Sequence, residues 1–222
     1  MADMRVLRVT GKGQLKVKPD VTRITITLNG IKKDYAKTLE LSAKDTQILK
    51  TVLKSFGFES EDVKTLRFDV NSEYERYRER DEWKQRFVGY KYEHVLKIEF
   101  DSDNKRLGKI LYALANASVS PELRLSYTVK NPEAAKNLLL GNAVNDAIAK
   151  ASVLAKAANV SLKEIQSIDY SWGTINFEVQ PMSSLGMCAK ECAEQSYDMD
   201  IDPDDIEVSD TVTVVWRLCD YF

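Results

Sequence analysis

Little in this chain would interrupt or staple it. Of 222 residues only 9 are Gly and 5 are Pro, and the composition as a whole excludes disordered, collagen-like and coiled-coil classes. Cysteine is scarce. Cys188, Cys192 and Cys219 are odd in number and confined to the last fifth of the chain, so they form no disulfide framework. Free thiols in a reducing compartment are the default reading. Charge of one sign is also missing. The 32 Lys and Arg against 34 Asp and Glu leave a net charge of −2, hence no global field to draw in nucleic acid. No apolar run approaches the roughly 20 residues that span a bilayer, so no membrane span is expected. Residues 1–10 hold no apolar stretch ahead of a small-residue cleavage site. That reads as no secretory signal and a cytoplasmic setting; a periplasmic or secreted one would require a leader ahead of these residues.

What remains is ordinary globular composition, 44% hydrophobic and 30% charged. At about 100–200 residues per domain the chain is one domain, or two intimate lobes with 86–130 as the smaller. Arg5–Thr10 reads as a short strand, and Gly11-Lys12-Gly13 and Pro19-Asp20 punctuate the chain after it. Val21–Ile31 alternates, Ile24, Ile26 and Leu28 sharing one face, as in a half-buried strand. From Tyr35 the period becomes helical, with Leu39, Ser42, Leu49, Val52, Leu53 and Phe56 on one stripe and Gly57 at the C′ position. Val63–Tyr77 alternates with Leu66, Phe68, Val70 and Tyr74 together. Phe87–Phe100 comes next, with Val88, Tyr90, Tyr92, Leu96 and Ile98 together. With polar Arg78–Glu82 between them, the two predict one long antiparallel hairpin with a charged tip.

A helix is expected at Leu107–Leu114 after the cap residues Ser102, Asp103 and Asn104. A strand is expected at Leu123–Lys130. Asn131-Pro132-Glu133 opens a helix running to about Ala158. Its stripe is expected at Ala135, Leu138, Leu139, Ala147, Ala151, Leu154, Ala155 and Ala158. Ile165–Gln180 reads as a strand or a bent pair around Gly173, residues 182–205 as an irregular loop, and Glu207–Leu218 as the last strand. Residues 21–130 thus carry a split β-α-β-β-α-β run. The fold class is α+β: a largely antiparallel mixed sheet with two long helices and one shorter helix packed on it.

Four segments carry a family resemblance. They are Val9–Gly13 with Val17–Asp20; Phe56–Phe58 with Glu61–Thr65; the Ala-rich Ala143–Ala158 joined to Asn159-Val160; and Val208–Leu218. In order and spacing the chain resembles the SIMPL-domain family, which includes a bacterial periplasmic immunogen and an animal protein that binds a Pelle-like kinase. Asn159 stands where that family usually has Gly, and the left-handed conformation tolerates Asn. The resemblance implies an α+β fold with no established enzymatic mechanism. It also implies large ring-like self-assembly in a periplasmic member and a link to oxidative-stress tolerance. It supplies no catalytic residues.

The residues themselves offer five candidate chemistries. Gly11-Lys12-Gly13 lacks the third Gly and the adjoining helix of a phosphate loop, and reads as a turn between strands. His94, the only histidine, has no nucleophile near it in sequence and reads as a packed histidine. Cys188 and Cys192, spaced i, i+4, could form a redox pair, but no further ligand completes a zinc site. Asp198, Asp200, Asp202, Asp204 and Asp205 begin like a calcium loop. Pro203 and Ser209 then occupy the positions that require Gly and Glu, so the stretch reads as a solvated acidic loop. No metal, cofactor or catalytic residue is therefore assigned.

The hairpin 73–86 interleaves Tyr74, Tyr77, Arg78, Arg80, Trp83 and Arg86 with as many acids as bases. That balance makes a poor phosphate funnel, so nucleic-acid binding is the weaker reading. Tyr, Trp and Arg dominate protein–protein hot spots, and these six residues are the candidate interaction site. The expectation is a non-enzymatic assembly module whose partners are copies of itself and an unidentified protein. The alternatives are a thiol-redox or small-molecule enzyme using Cys188 and Cys192, and a nucleic-acid binder using the hairpin.

Overall fold

The computed structural model describes residues 5–79, 81–170, 175–180 and 201–220. The element order is β1 (Val6–Val17), β2 (Val21–Lys32), α1 (Tyr35–Lys54), β3 (Lys64–Glu79), β4 (Glu82–Asp101), α2 (Asn104–Ala115), β5 (Glu122–Thr128), α3 (Pro132–Ala157), β6 (Val160–Asp169), β7 (Glu178–Val179) and β8 (Ile206–Asp220). The class is α+β with antiparallel pairing. The chain divides into two units, residues 1–19, 128–179 and 204–222, and residues 20–127 and 180–203.

In the first unit β8 lies between β1 and β6, antiparallel to both. The expected turn at Gly11-Lys12-Gly13 does not form, and β1 runs straight through it. The glycines serve the helix. A Cβ on Gly11 would sit 2.0 Å from the Ala143 carbonyl oxygen and 2.4 Å from the Ala147 nitrogen, and one on Gly13 2.2 Å from the Leu139 carbonyl oxygen. Backbone therefore meets backbone, and only residues without bulk fit on both sides. The buried row of α3 is Leu139, Ala143, Ala147, Ala151 and Ala155 at strict i, i+4 spacing. This is narrower than the expected stripe, since Leu138 and Leu154 stay about half exposed at 57% and 48%. The helix also seals the outer edge of β1. The Lys12 N–H donates to Asp146 at 2.7 Å, and Asn142 donates to the Gln14 carbonyl at 3.3 Å. β6 begins at Val160, five residues ahead of the expected strand start, directly after Asn159 ends α3 in the left-handed region at φ 54°.

In the second unit β3, β4, β2 and β5 lie side by side in that order. This is the strand order of the split β-α-β-β-α-β run. Capping residues set the helix starts: Asp34 accepts from the Lys37 N–H and Asp103 from the Lys105 and Arg106 N–H groups. The exit from α1 is a Schellman turn. The Phe58 N–H reaches the Leu53 carbonyl, the Gly57 N–H reaches that of Lys54, and Gly57 takes φ 82°. Ile24, Ile26, Leu28, Tyr92, Leu96 and Ile98 cover the sheet face on which Leu49, Leu53, Leu107, Ile110 and Leu114 of the helices pack. β4 ties residues 86–127 to β2 and β3.

Candidate functional site

β2 ends at Lys32, opposite Tyr90 of β4. β3 and β4 continue past it as a two-stranded arm, paired from Glu73↔Gly89 to Glu79↔Glu82. At the strand rise of roughly 3.4 Å per residue, seven residues carry the arm about 24 Å beyond the sheet. The expected polar tip, Arg78–Glu82, is thus mostly strand, and only residues 80 and 81 connect the two sides. Arg80 lies outside the described residues.

A one-residue register shift opposite Glu73/Tyr74 leaves Val88 as the extra residue of β4. This corrects the expected face. Phe87, not Val88, takes the place beside Tyr90, directly opposite Tyr74. The result is a run of edge-to-face rings: Tyr74–Phe87 at 5.6 Å, Phe87–Tyr90 at 5.3 Å and Tyr90–Tyr35 at 5.3 Å. Tyr74 and Phe87 are 55% and 43% exposed, and Trp83 nearer the tip is 71% exposed. The sequence does not mark Tyr35, Phe87 and Tyr90 as site residues, because nothing in the apolar spacing signals the bulge that aligns them.

The six predicted site residues do not form one cluster. By the strand register Tyr74, Arg78 and Trp83 share the face of the ring run. Tyr77 and Arg86 lie on the opposite face, with the Arg86 guanidinium 5.8 Å over the Tyr77 ring. Three cations of the arm meet its own anions: Arg86 with Glu75, Lys84 with Glu79 at 2.7 Å and Arg78 with Asp81 at 2.6 Å. These pairs are solvent-exposed and add little stability. They do neutralise part of the positive charge a nucleic-acid backbone would need.

His94 sits mid-strand between α1 and β3, its Nδ1 3.0 Å from the Thr46 hydroxyl and its Nε2 3.0 Å from that of Thr65. Thr46 spends its proton on the Ser42 carbonyl at 2.8 Å, so it accepts from Nδ1–H. Thr65 then donates to Nε2. A neutral imidazole satisfies both contacts. Burial first, and the Lys50 ammonium second, hold its pKa below the ordinary histidine value. Beside it the buried Tyr92 hydroxyl donates to Asp45 at 2.5 Å. Burial and that carboxylate push the phenol pKa well above its usual range.

The other sheet face is polar. Arg23 pairs with Glu99 at 2.6 Å, and Arg67 pairs with Glu93 and with Asp69. A cavity of about 540 Å³ opens there, lined by Thr25, Thr27, Arg67, Glu93, Glu122 and Arg124 among others. His94 faces away from it, between Glu93 and Val95 on the opposite side of β4. The cavity thus lacks the one imidazole that could serve as a base beside its hydroxyls.

Cys188, Cys192, Asp198 and Asp200 lie outside the described residues. Cys219 is a half-buried free thiol whose sulfur lies 3.8 Å from the Ser161 carbonyl. Among the described residues no three His, Cys, Asp or Glu side chains converge as a metal site. No described helix is long and apolar enough to cross a membrane.

The chain is similar to the 26 kDa periplasmic immunogenic protein of Brucella abortus (strain S19). The two are 26% identical over 163 residues, which make up 73% of this chain and 65% of that protein. The chain therefore spans a little under two thirds of the curated relative's length. The family described as SIMPL, protein of unknown function (DUF541), matches residues 7–216, nearly the whole described fold from β1 to β8. By that match this chain belongs to the SIMPL family.

Proposed function

We propose that this chain is a self-associating protein-interaction module without catalytic machinery, and that the β3–β4 arm is its contact surface. The observation that carries the reading is the exposed ring pair Tyr74 and Phe87, with Trp83, 71% exposed, on the same face nearer the tip. Aromatic area of this kind is what interfaces bury at their centres. A bare two-stranded ribbon is marginal in water, and packing against a partner would stabilise it. The arm's paired charges count against a nucleic-acid partner. The placing of His94 away from the cavity, and its hydrogen bonds to Thr46 and Thr65, count against histidine-based catalysis. A link to stress tolerance is what the SIMPL resemblance implies, and a periplasmic setting is the one named for the Brucella relative. Cell fractionation and survival of a deletion strain in peroxide test them.

Light scattering tests the central claim. The expected result is a mass at a multiple of 25.2 kDa, falling toward the monomer in a Tyr74→Ser/Trp83→Ser double variant. A wild-type monomer at high concentration overturns the reading. Repeating the measurement with and without reductant tests the Cys188/Cys192 alternative at the same time, because a redox-linked assembly would dissociate.

A further inference from the structure

The strand edges of this protein are treated unequally. The outer edge of β1 is sealed by Asp146 and Asn142 of α3. β6 is broken by register shifts on both sides of Ile165. Such cover and such irregularities are how proteins prevent unwanted strand pairing. β3 has neither along most of its length. It is the terminal strand of its sheet, its own extra residue is Leu66, and from Arg67 to Glu79 it runs without a further insertion. Phe68 and Tyr74 stand 45% and 55% exposed on it. Among the described residues no element lies across this edge.

We propose that the β3 edge pairs antiparallel with β3 of a second copy, about a two-fold axis through Val70. This rests on the self-association proposed above and adds to it a strand contact at the foot of the arm.

The charge pattern chooses the register. A two-fold axis relating neighbouring antiparallel strands stands perpendicular to the sheet, so it pairs residues of the same face and is centred on a residue. Centred on Val70, Arg67 opposes Glu73 of the second copy, Phe68 opposes Ser72, and Asp69 opposes Asn71. Each contact occurs twice. Glu73 has no ion pair of its own among the described residues. Arg67 is 59% exposed beyond its bonds to Asp69 and Glu93, and its guanidinium has donors to spare. The neighbouring registers fail on like charges, which destabilise when directly opposed. Centres at 69, 73 and 75 oppose Asp69, Glu73 or Glu75 to itself. Centres at 71 and 72 oppose Asp69 to Glu73 or Glu75, and the centre at 74 opposes Glu73 to Glu75. Centres at 76 and 78 oppose Arg76 or Arg78 to itself, and the centre at 77 opposes Arg76 to Arg78. A centre at 68 forces the pairing through the Leu66 bulge.

Two measurements on the full chain test this. The first replaces Cys188, Cys192 and Cys219 by Ser and introduces Val70→Cys. Cα atoms about 4.5–5.5 Å apart across the axis suit a disulfide, so a covalent dimer is expected under mild oxidation. The second measures the dimer dissociation constant of exposed-site variants by sedimentation. Asn71→Lys, now facing Asp69, tightens association roughly fivefold, and Asn71→Asp weakens it by a similar factor. If the register were centred on Asn71, both variants would weaken it. An assembly that forms with no Val70→Cys dimer, or with no opposite response at Asn71, overturns the edge pairing and leaves the self-association reading standing. A chain that stays monomeric overturns both.

Discussion

Gly11→Ala is the sharpest perturbation the fold offers. The added methyl would lie 2.0 Å from the Ala143 carbonyl oxygen, 2.4 Å from the Ala147 nitrogen and 2.8 Å from the Ala147 Cβ. Ordinary contact needs about 3.4 Å or more between such atoms, so α3 must retreat from β1 by more than an ångström along the row Leu139–Ala155. The obstacles are helix backbone, which cannot swing aside as a side chain can. Overpacking costs about 1–3 kcal/mol, and the rigid neighbours place this site near 3. The retreat also draws Asp146 away from the Lys12 N–H it accepts from. For a domain of this size each kcal/mol is worth roughly 2–4 °C, so the melting midpoint should fall by about 6–12 °C. Gly141→Ala is the matched control. It lies in the same helix with nothing within 4 Å of the new Cβ, and should stabilise by about 1 kcal/mol. Thermal unfolding by circular dichroism reads both. A neutral or stabilising Gly11→Ala would refute the close helix–strand approach, because strand Gly→Ala is otherwise favourable.

Gly57→Ala and Asn159→Gly should move urea midpoints in opposite directions. The first forces an L residue to φ 82° and costs about 1 kcal/mol, and the second relieves φ 54° at the end of α3 and gains about 0.5 kcal/mol. Tyr92→Phe removes the donor to Asp45 from a fully buried ring and should cost about 1.5 kcal/mol with an unchanged m-value. His94 has its pKa lowered in the folded state, so the unfolded chain takes up a proton first as pH falls. Its contribution is full above the unfolded value of about 6.5 and is lost on acidification below it. Denaturation midpoints between pH 7 and 5 should decline more steeply for the wild type than for His94→Gln.

The parts of this protein that are legible in sequence are those that local chemistry encodes. Asn131-Pro132-Glu133, Asp103 and Gly57 announce helix ends because a cap acts within a few residues of itself. The alternation of Ile24, Ile26 and Leu28 announces a strand because a half-buried sheet demands period two. The order of these elements is enough for an α+β class and the split β-α-β-β-α-β run. Tertiary structure decided what period and composition leave open. Gly11 and Gly13 have the composition of a turn, and only the approach of α3 shows why a strand needs them. The buried row of α3 is a single line, Leu139 followed by four alanines, because the facing glycines bring the helix backbone close against β1. The bulge at Val88 is a matter of pairing between two strands, invisible in either alone, yet it decides that Phe87 completes the ring run and that Arg86 turns away from it to the side of Tyr77. Sequence alone settled which elements exist. The contacts between elements distant in the chain settled which faces they show.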